Sequence, residues 1–322
     1  MAVTQQTANE IFENHPTRFK KKEKESMRAE LRAKLKEIGY SDSEITEVKA
    51  SGTNLVAGDP HAEYIFTAHY DTPGRTGWML GTSKWFGMTG ANIFLLALMP
   101  ILVFIGAALP ELIINNFNLN VEQEAVYGLN FLSAYIVLLL FMAVMIISMV
   151  VKNKNNRNDN TSGVLSLLAL AEKVAADDEL RGKCCFVFFD NEEWGLLGSA
   201  GFVGYCKKNG IDLKQSKVIN FDCVGYGDVL TFVSTKSNPV AKSVTAAFEQ
   251  AGQKPVYKRS RMIFLSDHAN FKNSVMVSYT KHSLIGLLYL PLIHTAKDVE
   301  CDIGQINRLT DNFYTFAKQG KI

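Results

Sequence analysis

Cys185-Phe186-Val187-Phe188-Phe189 runs without a polar residue and stops at Asp190-Asn191-Glu192-Glu193, an apolar strand followed at once by three carboxylates. Short β-branched and aromatic runs of this kind suit a sheet covered on both faces. Three more share the form: Tyr64-Ile65-Phe66-Thr67-Ala68, Val218-Ile219-Asn220-Phe221 and Val275-Met276-Val277-Ser278-Tyr279. Helical stretches alternate with them at Ser162 to Ala175, Gly198 to Lys208, Pro239 to Ala251 and Ile303 to Lys318. Strand–helix alternation predicts an α/β fold with a mostly parallel central sheet flanked by helices. The 322 residues suffice for one large domain with a sizeable core.

Outside that pattern lie two runs without a single charged side chain, Trp85 to Pro110 and Ala125 to Val151. A bilayer core needs roughly 20 helical residues. Pro100 inside the first run is better tolerated in a membrane helix than in a soluble one. Both runs are therefore expected to span a membrane, with helices over about 88–110 and 127–151 of an inserted hairpin, 81–151. The link Glu111 to Glu124 holds three Glu and no Lys or Arg, whereas Arg75, Lys84, Lys152, Lys154 and Arg157 flank the pair on the other side. The positive-inside rule then puts the link outside and the rest in the cytoplasm, making a two-span protein of the cell membrane. Five Cys, two of them adjacent (Cys184-Cys185), do not form a disulfide framework and agree with a reducing compartment.

The expected α/β domain is thus split into 1–80 and 152–322, with 1–16 a loose tail. Thr17 to Ile38 reads as an amphipathic helix, with Met27, Leu31 and Leu35 on one face. The basic cluster Arg18-Phe19-Lys20-Lys21-Lys22 suits a solvated helix face or contact with anionic lipid. With 34 Lys+Arg against 32 Asp+Glu and 47% hydrophobic residues, the composition excludes a disordered chain and gives no reason to expect nucleic acid as a partner. The lipid bilayer is the expected partner, and the hairpin offers a surface for a homodimer.

In such sheets, ligands gather outside the carboxyl ends of the strands. His69-Tyr70-Asp71 follows the strand at Tyr64, Glu192-Glu193 the strand at Cys185, and Asp222 the strand at Val218. Asp159 stands just ahead of the helix at Ser162, and His294 follows the apolar stretch Leu287 to Ile293. Singly, each has a structural reading: His69 a core histidine, Asp159 a helix cap, Glu192-Glu193 a solvated pair. Together, two imidazoles and several carboxylates make a donor set suited to zinc or another divalent metal.

The ordered strings Thr67-Ala68-His69-Tyr70-Asp71, Asp159-Asn160-Thr161-Ser162-Gly163, Phe189-Asp190-Asn191-Glu192-Glu193-Trp194-Gly195, Asn220-Phe221-Asp222, Ser266-Asp267-His268 and Ile293-His294-Thr295 resemble the co-catalytic zinc aminopeptidases of peptidase clan MH, which include glutaminyl-cyclase and glutamate-carboxypeptidase relatives. The resemblance covers roughly 40–80 and 155–322. It departs from the family where about ninety residues, the hairpin among them, separate His69 from Asp159.

The resemblance implies two divalent metal ions, zinc foremost, bridged by Asp159. His69 and Asp222 would complete one, Glu193 and His294 the other. Asp71 would orient His69, and Glu192 would be the general base toward a metal-activated water. His268 is left out of the metal shell. The expectation is a membrane-anchored metallo-aminopeptidase acting on peptides. The alternatives are a glutaminyl-cyclase-like acyltransferase and an inactive membrane scaffold on a peptidase fold.

Overall fold

The computed structural model describes residues 4–322. The first half of the chain forms α1 (Gln5–Asn14), α2 (Lys21–Glu37), β1 (Ile45–Ala50), β2 (Gly52–Ala57), β3 (Tyr64–His69), α3 (Ser83–Asn116) and α4 (Gln123–Val150). There follow α5 (Gly163–Ala175), α6 (Asp178–Arg181), β4 (Cys184–Phe189), α7 (Leu197–Lys208), β5 (Lys217–Phe221) and β6 (Val229–Ser234). The chain ends with α8 (Pro239–Gln250), β7 (Val256–Arg259), β8 (Ser274–His282), β9 (Leu288–Tyr289) and α9 (Ile303–Lys318).

The sheet runs β1-β2-β4-β3-β5-β8-β6-β7, with β9 paired to the end of β8. Its centre, β4-β3-β5-β8, is parallel throughout, as the alternation predicts. Antiparallel pairs enter towards the edges, at β1 with β2, β2 with β4, and β6 with β8, so the sheet as a whole is mixed. On β3, Tyr64, Phe66 and Ala68 join Phe186, Phe188 and Phe221 in a core layer completed by α5 and α9. Ile65 faces the opposite layer with Val187, Phe189 and Val218, closed by Phe202 and Cys206 of α7. Phe66 stacks on Phe186 at 5.7 Å and Phe221 at 6.3 Å, and Phe313 meets its edge at 6.4 Å. Truncating such a buried ring costs about 3–5 kcal/mol. The stack therefore fixes the three central strands relative to one another, and His69 pairs level with Phe189.

The expected loose tail is helical instead over α1. Thr4 caps it by accepting from the Thr7 amide, and Ala8, Ile11 and Phe12 turn one apolar face inward. Residues 1–3 of that tail lie outside the described residues. α2 buries Met27, Leu31 and Leu35 as its spacing predicts.

The two apolar runs form α3 and α4, both longer than the expected 88–110 and 127–151. Gly87 breaks α3 after its first turn, with φ +67°, where a side chain would also meet Leu287 Cβ at 2.5 Å. The long run that starts at Met88 extends roughly 43 Å at 1.5 Å per residue, more than the roughly 30 Å of a bilayer core. The most apolar stretch of each helix is only 6% buried, unlike a helix in a soluble core. Both helices are thus long and apolar enough to cross a membrane. Their roots lie side by side: Gly74 bridges to Lys152, the Arg75 amide donates to the Val151 carbonyl, and the Asn153 amide donates to the Pro73 carbonyl.

Candidate metal centre

Parallel pairing brings the ends of β3, β4 and β5 to one edge of the sheet, carrying His69 and Asp71, Glu192 and Glu193, and Asp222. Asp159 arrives from the irregular turn Arg157–Ser162 ahead of α5, and His294 from the loop between β9 and α9. Two triads form here, His69 with Asp159 and Asp222, and Asp159 with Glu193 and His294, each with donor atoms within 4.8 Å of one another. Asp159 belongs to both. Its Oδ1 lies 3.4 Å from His69 Nε2 and its Oδ2 3.0 Å from His294 Nε2. His69 Nε2 is 3.9 Å from Asp222 Oδ1, and His294 Nε2 is 3.4 Å from Glu193 Oε2. Glu192 stands beside these atoms, 3.9 Å from His69 Nε2, and a further grouping joins it to His69 and Glu193.

This donor set fits a divalent cation. Zinc bonds of about 2.0–2.2 Å in a tetrahedron put donor atoms roughly 3.3–3.6 Å apart, the middle of the range found. Glu193 Oε1 is buried and has no hydrogen-bond partner among the described residues. Burial pushes the Glu192 and Glu193 carboxyls well above the ordinary range; neighbouring acids add to this while His69 opposes it. Burial would lower His69, but Glu192, Asp159 and Asp222 outweigh it and hold the imidazole well above its usual value. Crowded acids facing two imidazoles call for positive charge.

Several positioning residues were not read from the sequence. Thr76 Oγ1 lies 2.6 Å from His294 Nδ1, and the Gly77 amide donates to the His294 carbonyl. A side chain on Gly77 would stand 2.2 Å from Thr295 Cγ2. Asp298, buried, accepts the Asn158 and Asp159 amides at 2.8 and 3.0 Å and so fixes the turn that carries Asp159. Asn160 binds that turn to β5, donating to the Phe221 carbonyl and accepting from the Cys223 amide. Arg18 is buried, not exposed as its basic cluster suggested, and its Nε donates to the Tyr70 carbonyl at 2.7 Å. Burial lowers its guanidinium to about 10 although Asp71 and Asp159 pull upward.

Asp71 does more than the sequence implied. It faces His69 Nδ1 at 3.4 Å, and its two oxygens accept the Glu192 and Glu193 amides at 3.1 and 3.3 Å. Asp267 and His268 are both buried and belong to neither triad. Burial raises Asp267 to about 7 and lowers His268 to about 4.

A family model described as Peptidase family M28 matches residues 151–317, just over half of the chain. Among solved structures, the LapA aminopeptidase of Legionella pneumophila is similar with a TM-score of 0.61 at 16% identity, over 98% of this chain and 70% of its own. The glutaminyl cyclase of Porphyromonas gingivalis gives 0.59 at 15% identity, over 98% of both chains. BSAP, a zinc aminopeptidase from Bacillus subtilis, gives 0.50 at 17%, over 84% of this chain and 50% of its own. No curated protein matches the sequence. The family resemblance read from the ordered strings is borne out, as is the α/β class.

Proposed function

Because the chain belongs to peptidase family M28, we propose that it is a membrane-anchored, metal-dependent exopeptidase, an aminopeptidase that removes N-terminal residues from peptides. The observation that carries this reading is Asp159, whose two oxygens face His69 and His294 separately. His69, Asp159 and Asp222 would hold one divalent ion; Asp159, Glu193 and His294 would hold a second. Bound there, such ions polarise the scissile carbonyl and lower the pKa of water.

Glu192 takes a proton from the attacking water as the water oxygen bonds to the carbonyl carbon. It returns that proton to the leaving nitrogen as the C–N bond breaks. The products are the free N-terminal amino acid and a peptide one residue shorter. Asp71 holds both glutamates at their amides, which keeps Glu192 turned to the water while Glu193 faces His294. The charge pattern around the hairpin supports a cytoplasmic active site, with Glu111 to Glu124 on the far side.

The test is a zinc-loaded, full-length preparation assayed on aminoacyl fluorogenic substrates and on a peptide with N-terminal Gln. Glu192→Gln should lower kcat about 10²–10⁴-fold with metal retained, and Glu193→Gln should weaken metal binding. Near-normal turnover by Glu192→Gln would contradict the assignment. Cyclisation of the Gln peptide in place of hydrolysis would favour the glutaminyl-cyclase reading, which the same fold also accommodates.

A further inference from the structure

A cavity of about 340 Å³ opens at the ligand cluster, with Asp159, Glu192, Glu193, Asp222 and His294 in its lining. We propose that the first hairpin helix is part of the substrate site: Met88 and Asn92 of α3 form a wall of this cavity, which receives the apolar side chain of the residue being removed. The proposal rests on the aminopeptidase reading and names its substrate class.

The geometry on the α3 side is specific. Met88 is only 8% exposed and packs in one apolar cluster with Phe264, Met276, Leu290 and Ile293. Apart from Met88, that cluster comes from the α/β body, and Phe264, Met276, Leu290 and Ile293 also line the cavity. The helix is held there by the break at Gly87, which closes on Leu287, and by the Leu284 amide donating to the Lys84 carbonyl at 3.0 Å. Asn92 lies four residues on, above Met88 on the same helix face. It brings a side-chain amide to the cavity, suited to polar groups of the peptide backbone.

The volume stands at the small end of ligand pockets, about 300–1,000 Å³, and suits a terminal residue rather than a long segment. Beyond the metal-site residues the lining is mostly apolar, with the thioethers of Met88, Met262 and Met276 and the ring of Phe264. These offer nothing to an ionised side chain, so N-terminal Leu, Met or Phe fits where Lys or Asp does not. The insertion thus sets specificity as well as anchoring the chain.

Two measurements on the full-length, zinc-loaded protein test this. The first compares Met88→Trp and Met88→Ala with wild type on Ala-, Leu- and Phe-aminoacyl substrates. Filling the wall should lower the Leu-over-Ala ratio of kcat/KM about tenfold or more, and opening it should raise the Phe-over-Leu ratio by a similar factor. The second photolyses photo-leucine amide with wild-type protein and locates the label by mass spectrometry; label on 88–92, displaced by leucine amide, is the expected result. Equal scaling of all three substrates, or label placed only outside α3, would overturn the proposal. If wild type hydrolyses none of the substrates, the aminopeptidase reading fails, and the position of the label alone decides whether α3 walls the cavity.

Discussion

Thr76, between β3 and the insertion, shows how a single side chain just ahead of the hairpin bears on the chemistry. With His294 Nε2 given to a metal ion, the ring's Nδ1–H would donate to Thr76 Oγ1, 2.6 Å away, fixing tautomer and orientation. Thr76→Val should therefore weaken metal binding about 10–100-fold, measured by competition with a chelator, while Thr76→Ser should keep it. Unchanged affinity in the valine variant would mean that the contact positions nothing. His69, Asp71, Asp159, Glu192, Glu193, Asp222 and His294 were legible because they stand at the ends of apolar strands or beside helix starts. Thr76 and Asp298 were not, because each acquires its meaning across the fold, Thr76 from a partner 218 residues away. Arg18 was read with its exposed neighbours, and only its bonds to the His15 and Tyr70 carbonyls and to Thr72 Oγ1, which the fold brings together, hold it inside.

At the scale of elements, the hairpin is tied back to the N-terminal helices. Lys152, just after α4, donates to Glu23 Oε1 at 2.7 Å, and Glu23 Oε2 accepts the Phe19 and Lys20 amides that open α2. Burial raises the Glu23 carboxyl, but these hydrogen bonds outweigh it and bring it down to about 2 from an ordinary 4.5. A carboxyl depressed in the folded state contributes stability above its unfolded pKa and loses it as pH falls through the folded value. Glu23→Gln should thus melt a few degrees below wild type at pH 7, and the gap should close between about pH 4.5 and 2. A gap independent of pH would show that the ionised pair contributes nothing. β3, β4 and β5 were legible because both their faces are covered. β1 was not, since Ile45 and Val48 alone turn inward while Thr46, Glu47, Lys49 and Ala50 meet solvent, and α1 escaped notice because three inward residues make a weak pattern in so short a helix.

For the whole molecule, the insertion of two apolar helices into an α/β body was legible in two charge-free runs. That the insertion's roots reach His294 and the cavity was not, since no local pattern reports where a hairpin re-enters a fold. Protease sites placed at 117–122 should be cut from outside intact cells, and sites on α8 should not; the reverse would overturn the charge-based orientation. The central claim is that Asp159 is shared by two ion sites. Metal analysis of detergent-purified protein, wild type beside Asp159→Ala, Asp222→Ala and Glu193→Ala, tests it most directly. Two divalent ions per wild-type chain, near none in Asp159→Ala and close to one in each of the others is the predicted result; one ion in wild type, or one retained in Asp159→Ala, would contradict it.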